Sequence, residues 1–109
     1  MEDVSRWQKA LNEFVREMHA LYGKRLQEVV LYGSWARGEA GEDSDTDTLV
    51  VLNPLEDFWV ELSRIGEVAN RISLEYDVVI SAIPVDGAEF GDPDTPLLLT
   101  IRREGIRVG

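Results

Sequence analysis

The sequence has 109 residues, 44% hydrophobic and 29% charged, the size and make-up of one small globular domain. It contains no cysteine and a single histidine, which excludes disulfides, thiol catalysis, thiolate metal sites and multi-histidine zinc sites. Eleven basic residues stand against 21 acidic ones, a net charge of −10, and residues 26–101 alone hold 16 acids and three bases. An acidic centre of this kind repels a phosphate backbone, so direct nucleic-acid binding is not expected unless bound divalent cations invert the local charge.

Val4, Trp7, Leu11, Phe14, Val15, Met18, Leu21 and Tyr22 recur at a 3.6-residue period, which predicts an amphipathic helix over about 4–23 ending near Gly23. LQEVVLYG follows as a strand stopped at Gly33-Ser34, and residues 38–47 are polar and glycine-containing, a loop. TDTLVVL reads as a second strand, too apolar at Leu49–Leu52 to face water on both sides. Asn53-Pro54-Leu55-Glu56 has the chemistry of a helix start. Leu55, Phe58, Trp59, Leu62, Ile65, Ala69 and Ile72 then supply the buried stripe. EYDVVISAI is expected to be a third strand, 84–95 a proline- and glycine-rich loop, and Thr95-Pro96 the start of a last helix closed by Gly105.

Strands alternating with helices predict an α/β fold, a small mixed sheet of three or slightly more strands packed against helices. A single domain over 1–109 is expected, with a right-handed crossover from the second strand to the third. No apolar run approaches the ~20 residues of a membrane span. The charged N-terminus lacks the apolar stretch of a signal peptide. Both features, with the absence of cysteine, make a cytoplasmic location the expectation.

The chemistry is concentrated in LYGSWARGEAGEDSDTDTLVVL, residues 31–52. Gly33-Ser34 stands where a strand turns, and a glycine there lets backbone N–H groups and a hydroxyl approach phosphate oxygens. Asp45 and Asp47 are two apart at a strand entrance, so both carboxylates share one face. Like charges that close favour a bound cation, and oxygen-only ligands suit Mg²⁺ or Mn²⁺. Asp77 falls among Tyr76, Val78, Val79 and Ile80, where an acid in a strand needs a partner or a metal. Three converging carboxylates could hold two divalent ions for in-line phosphoryl or nucleotidyl transfer.

Gly33-Ser34, ten intervening residues, Asp45-x-Asp47 and a later Asp resemble the signature of the DNA-polymerase-β-type nucleotidyltransferases. The short chain, its helix–strand order and the ending IRREGIRVG resemble the minimal nucleotidyltransferase branch, of the HEPN/MNT antitoxin type. The resemblance implies that Gly33 and Ser34 hold the triphosphate of ATP and that Asp45 and Asp47 ligate Mg²⁺. It implies that Asp77 completes the metal site and helps activate the attacking hydroxyl. It further implies transfer of AMP to a tyrosine of a cognate HEPN ribonuclease toxin, in a hetero-oligomer with that toxin. Two alternatives stay open, a small-molecule nucleotidyltransferase of the aminoglycoside-modifying kind and an antitoxin that acts by binding alone. Arg37 stands where the family often has a basic residue. The chain departs from the family pattern at Thr46 and Thr48, where bulky aliphatics are common, and at Trp35, where arginine is frequent.

Overall fold

A computed structural model describes residues 5–33 and 45–109. Ser34, Trp35, Arg37 and Val4 lie outside the described residues. Helix α1 spans Arg6–Tyr22, capped by Ser5, whose side chain accepts from the Gln8 amide. It buries Ala10, Leu11, Phe14, Met18 and Tyr22, the stripe that the sequence period predicts, while Leu21 at its end stays exposed. A short 3-10 turn, Gly23–Arg25, leads into β1, Leu26–Tyr32. Strand β2 is Thr46–Leu52, α2 is Phe58–Tyr76 and β3 is Ile80–Asp86. A one-and-a-half-turn helix α3, Gly87–Gly91, helix α4, Pro96–Glu104, and the two-residue strand β4, Ile106–Arg107, complete the order.

The sheet has four strands in the order β3-β2-β1-β4. β1 runs antiparallel to both β2 and β4, and β2 runs parallel to β3. The parallel pair is joined through α2, as a crossover requires. One sheet face packs Val29, Val50, Leu52, Ile80 and Ala82 against Phe14, Met18, Ile65, Ala69 and Ile72 of α1 and α2. The opposite face packs Val30, Leu49, Val51 and Val85 against Phe90 and Ile101 of α3 and α4. Strand β2 is therefore covered on both sides, which explains its unbroken apolar run. Among the described residues no helix is long and apolar enough to cross a membrane.

Two boundaries differ from the sequence reading here, each for a local reason. Helix α2 starts at Phe58 and not after Asn53, because Asp57 supplies the cap by accepting from the Val60 amide. The buried face also differs from the predicted stripe: Trp59 is 73% exposed and Phe58 is at the surface, while Glu61, Ile65, Ala69 and Ile72 are buried. Strand β3 runs through Pro84 to Asp86 instead of ending at Ile83. Proline is tolerated there because β3 is an edge strand among the described residues, with no ladder beyond it there to require the missing N–H. Asp86 then caps α3 by accepting from Ala88 and also accepts from the Leu55 amide at 2.9 Å. These backbone N–H groups, Leu55 foremost, hold its carboxyl below the usual range.

Glu61, only 5% exposed, is the buried charge among the described residues. Its carboxylate accepts from the Tyr22 hydroxyl at 2.6 Å and pairs with Arg25 at 3.5 Å and Arg64 at 3.4 Å. Burial, then the hydrogen bond to Glu61, pushes the Tyr22 phenol far above its ordinary value. Glu61→Ala strands a buried hydroxyl and removes the anion facing two guanidinium groups. The arginines keep access to water, so the expected cost is about 2 kcal/mol, under the full penalty for a broken buried pair. In thermal unfolding this is a fall of about 10 °C in Tm for a domain of this size; an unchanged Tm would show the network to be neutral.

Candidate active site

The candidate site lies at one end of the sheet, where β1 ends and β2 and β3 begin. The antiparallel ladder sets Tyr32, the last residue of β1, opposite Asp47. The parallel ladder sets Ser81 of β3 on the other side of Asp47. Residues abreast in a ladder share a face, so Tyr32, Asp47 and Ser81 form a row across three strands. Gly33 follows Tyr32 with φ 78°, a left-handed conformation that side chains other than glycine rarely take. A Cβ on Gly33 would stand 2.7 Å from Asp47 Oδ2. The structure thus brings Gly33 and the second aspartate of the D-x-D pair into direct contact.

Asp47 is half-buried, and Asp45, one residue before β2, is exposed. Burial, then the charge of Asp45, raises the Asp47 carboxyl above its ordinary value. Burial, then the charge of Asp47, raises the Tyr32 phenol. Anionic charge in this corner therefore lacks compensation from the described residues, which is the condition that a cation relieves. Behind the pair, Thr46 and Thr48 are fully buried. Thr48 Oγ1 donates to the Ser81 carbonyl at 3.0 Å, and the Thr46 amide donates to the Val79 carbonyl at 2.8 Å. The threonines that replace aliphatics are thus packed, and Thr48 ties β2 to β3 beside the site. Thr46 Oγ1 has no hydrogen-bond partner among the described residues.

Asp77 is placed differently from the sequence reading. It is not in a strand but caps the C-terminus of α2 in the left-handed conformation, φ 57° and ψ 50°, with its amide donating to the Ser73 carbonyl. Its side chain is 93% exposed and pairs with Arg6 at 3.0 Å. Among the described residues no group of three His, Cys, Asp or Glu could hold a metal ion. The two carboxylates at the β2 entrance fit a hard divalent cation in donor type, provided that phosphate oxygens and water complete its shell, as Mg²⁺ ordinarily requires. Sequence reasoning missed Ser81. The alternation Val79-x-Ser81-x-Ile83 was available as a signal, but it becomes readable only once α2 is known to end at Tyr76.

A hollow of about 110 Å³ adjoins this corner, lined by Tyr32, Gly33, Leu97, Thr100, Ile101 and Glu104. It opens between the β1 turn and α4, on the Gly33 side of Asp47.

The model of the nucleotidyltransferase domain family matches residues 9–102. The chain is 36% identical over 73 residues to the Methanocaldococcus jannaschii protein named "Putative protein adenylyltransferase MJ0141", covering 67% of this chain and 73% of that one. A solved structure described as a "putative minimal nucleotidyltransferase" superposes with a TM-score of 0.61 at 23% identity, over 99% of this chain and 100% of that chain. A toxin-antitoxin crystal structure with AMP-PNP superposes at 0.57 and 18% identity, over 87% of this chain and 69% of that chain. The chain belongs to the nucleotidyltransferase domain family, and its fold is that of the minimal nucleotidyltransferases. It is an enzyme of that class, and two curated relatives carry the name "Putative protein adenylyltransferase".

Proposed function

We propose that the protein transfers AMP from ATP to a protein hydroxyl, a tyrosine of a cognate HEPN ribonuclease toxin, and so acts as its cytoplasmic antitoxin. The observation that carries the chemistry is the Gly33 turn set against Asp47, with Asp45 two residues before it. The named relative supports a protein acceptor, and the fold shared with a toxin-antitoxin structure supports a toxin as that protein. Gly33, with the hydroxyl of Ser34 in the segment outside the described residues, receives the triphosphate. Asp45 and Asp47 are the residues that would hold Mg²⁺, which when bound would neutralise phosphate charge.

The reaction is an in-line displacement. The acceptor oxygen attacks the α-phosphorus, the bond to the bridging oxygen breaks, pyrophosphate leaves and the hydroxyl proton passes to solvent. The chain contributes chiefly position and charge balance, as phosphoryl transfer demands. Asp77 is held by Arg6, so the metal-holding role is assigned to Asp45 and Asp47 alone.

The test is to purify the protein with its toxin, add labelled ATP and Mg²⁺, and locate the label by mass spectrometry. A gain of one AMP on a toxin tyrosine is expected. A stable complex that neutralises the toxin without any label transfer would favour an antitoxin acting by binding alone.

A further inference from the structure

Strand β2 carries Asp47 with β1 on one side and β3 on the other. The two flanks are built differently. On the β1 side Tyr32 and Leu98 pack against the core formed with Ile101 of α4, and the Gly33 turn closes the end of the strand. On the β3 side the face is open: Val79 is 53% exposed, Ile83 is 40% exposed and Ser81 between them is exposed. The ladder puts Ser81 abreast of Asp47 and Ile83 abreast of Leu49. The result is an apolar–hydroxyl–apolar row that starts one residue before β3 and continues along it, directly beside the carboxylates.

In-line displacement fixes the direction of attack. If the Gly33 turn holds the triphosphate, the pyrophosphate departs on the β1 side and the nucleophile must arrive from the opposite one. We infer that the acceptor protein docks on the β3 edge over Val79, Ser81 and Ile83, with Ser81 facing the residue that accepts AMP. This rests on the adenylyltransferase reading given above. The occupant is a basic polypeptide segment whose hydroxyl-bearing residue has apolar neighbours. Val79 and Ile83 receive those neighbours. The nearby acids Asp45 and Asp47, together with the net negative residues 26–101, select the basic character. An aromatic hydroxyl suits this row, because its ring rests on the apolar side chains while its oxygen reaches past Ser81 to the carboxylates.

The test compares Ile83→Lys, Val79→Glu and Ser81→Trp with the wild-type protein. All three positions are at the surface, so the variants are expected to fold, which thermal unfolding checks. The readouts are AMP transfer to the co-purified toxin, ATP–Mg²⁺ affinity by titration calorimetry, and the mass of the free protein in solution. The expected result is a fall in transfer of about tenfold or more for Ile83→Lys and Ser81→Trp, the size of effect seen at the centre of an interface, with ATP–Mg²⁺ affinity kept in Ile83→Lys, which stands abreast of Leu49 and not of Asp47. Val79→Glu is expected to act in the same direction. Full transfer by all three variants overturns the inference while leaving the adenylyltransferase reading standing. A parallel loss of ATP affinity in Ile83→Lys overturns it by assigning the row to the nucleotide. A wild-type dimer broken by Ile83→Lys with transfer intact overturns it in favour of a second copy of this chain. A wild-type protein that binds no ATP–Mg²⁺ and labels no partner overturns the underlying reading and this inference with it.

Discussion

Replacing Asp45 and Asp47 together with asparagine is expected to abolish AMP transfer and, at the same time, to stabilise the free protein. A divalent ion at a phosphoryl centre supplies several kcal/mol of charge stabilisation, and a loss of ~4 kcal/mol is about a thousandfold in rate. ATP–Mg²⁺ titration should show the binding lost as well, because two amides cannot balance the charge of the ion. The stability change has the opposite sign. The Asp47 carboxyl is raised above its unfolded value, first by burial and then by Asp45. A carboxyl raised in the folded state favours folding below its unfolded pKa, and that advantage is lost as pH rises through the folded pKa. At neutral pH the metal-free wild type therefore carries a penalty that the double variant lacks. Thermal unfolding should give the variant the higher Tm at pH 7, with the gap closing as pH falls through the carboxylate range. A variant that is less stable at pH 7, or that still binds ATP–Mg²⁺, would refute the assignment.

The sequence made the Gly33–Asp47 half of the site readable because both ends of it rest on strand rules. Leu49–Leu52 is an apolar run bounded by polar residues, and alternation along it puts Asp45 and Asp47 on one face whatever the register. The β3 half was less readable, and the reason lies in Asp77. In EYDVVISAI, apolar β-branched residues suggest a strand from Glu75 onward, but α2 continues through Tyr76 and Asp77 closes it. An aspartate can take a left-handed cap by hydrogen-bonding locally, where glycine is more usual. Only the tertiary packing of Ile72 and Ala69 against the sheet decides that the helix extends that far. The same packing decides that Trp59 faces out. Its spacing from Leu62 fits a buried stripe, but the buried face runs through Glu61, Ile65, Ala69 and Ile72 instead. Of the Glu61 network only the i,i+3 pair with Arg64 is local to α2; Tyr22 at the end of α1 and Arg25 in the turn after it meet Glu61 only through tertiary packing, which left no sequence signal.

Gly33→Ala should damage the site and the fold together, with the larger effect on activity. Alanine at φ 78° costs ~1–2 kcal/mol of backbone strain, which corresponds to a Tm fall of roughly 5–15 °C for a domain of this size. The new methyl would also stand 2.7 Å from Asp47 Oδ2, closer than the atoms can approach, so either the carboxylate rotates or the turn moves. Both movements displace a group that the reaction needs in place, and a shift of ~1 Å at a reacting centre costs about a hundredfold. Asp47 is half-buried between β1 and β3, which limits how far its side chain can swing without disturbing Tyr32 or Ser81. The two losses can be separated by measuring AMP transfer well below the variant's own Tm, where the folded fraction is complete. Activity down about a hundredfold there, with ATP–Mg²⁺ affinity also weakened, is the expected pattern. If transfer recovers fully once the protein is cold enough to be folded, Gly33 serves only as a turn, and the contact with Asp47 has no part in the chemistry.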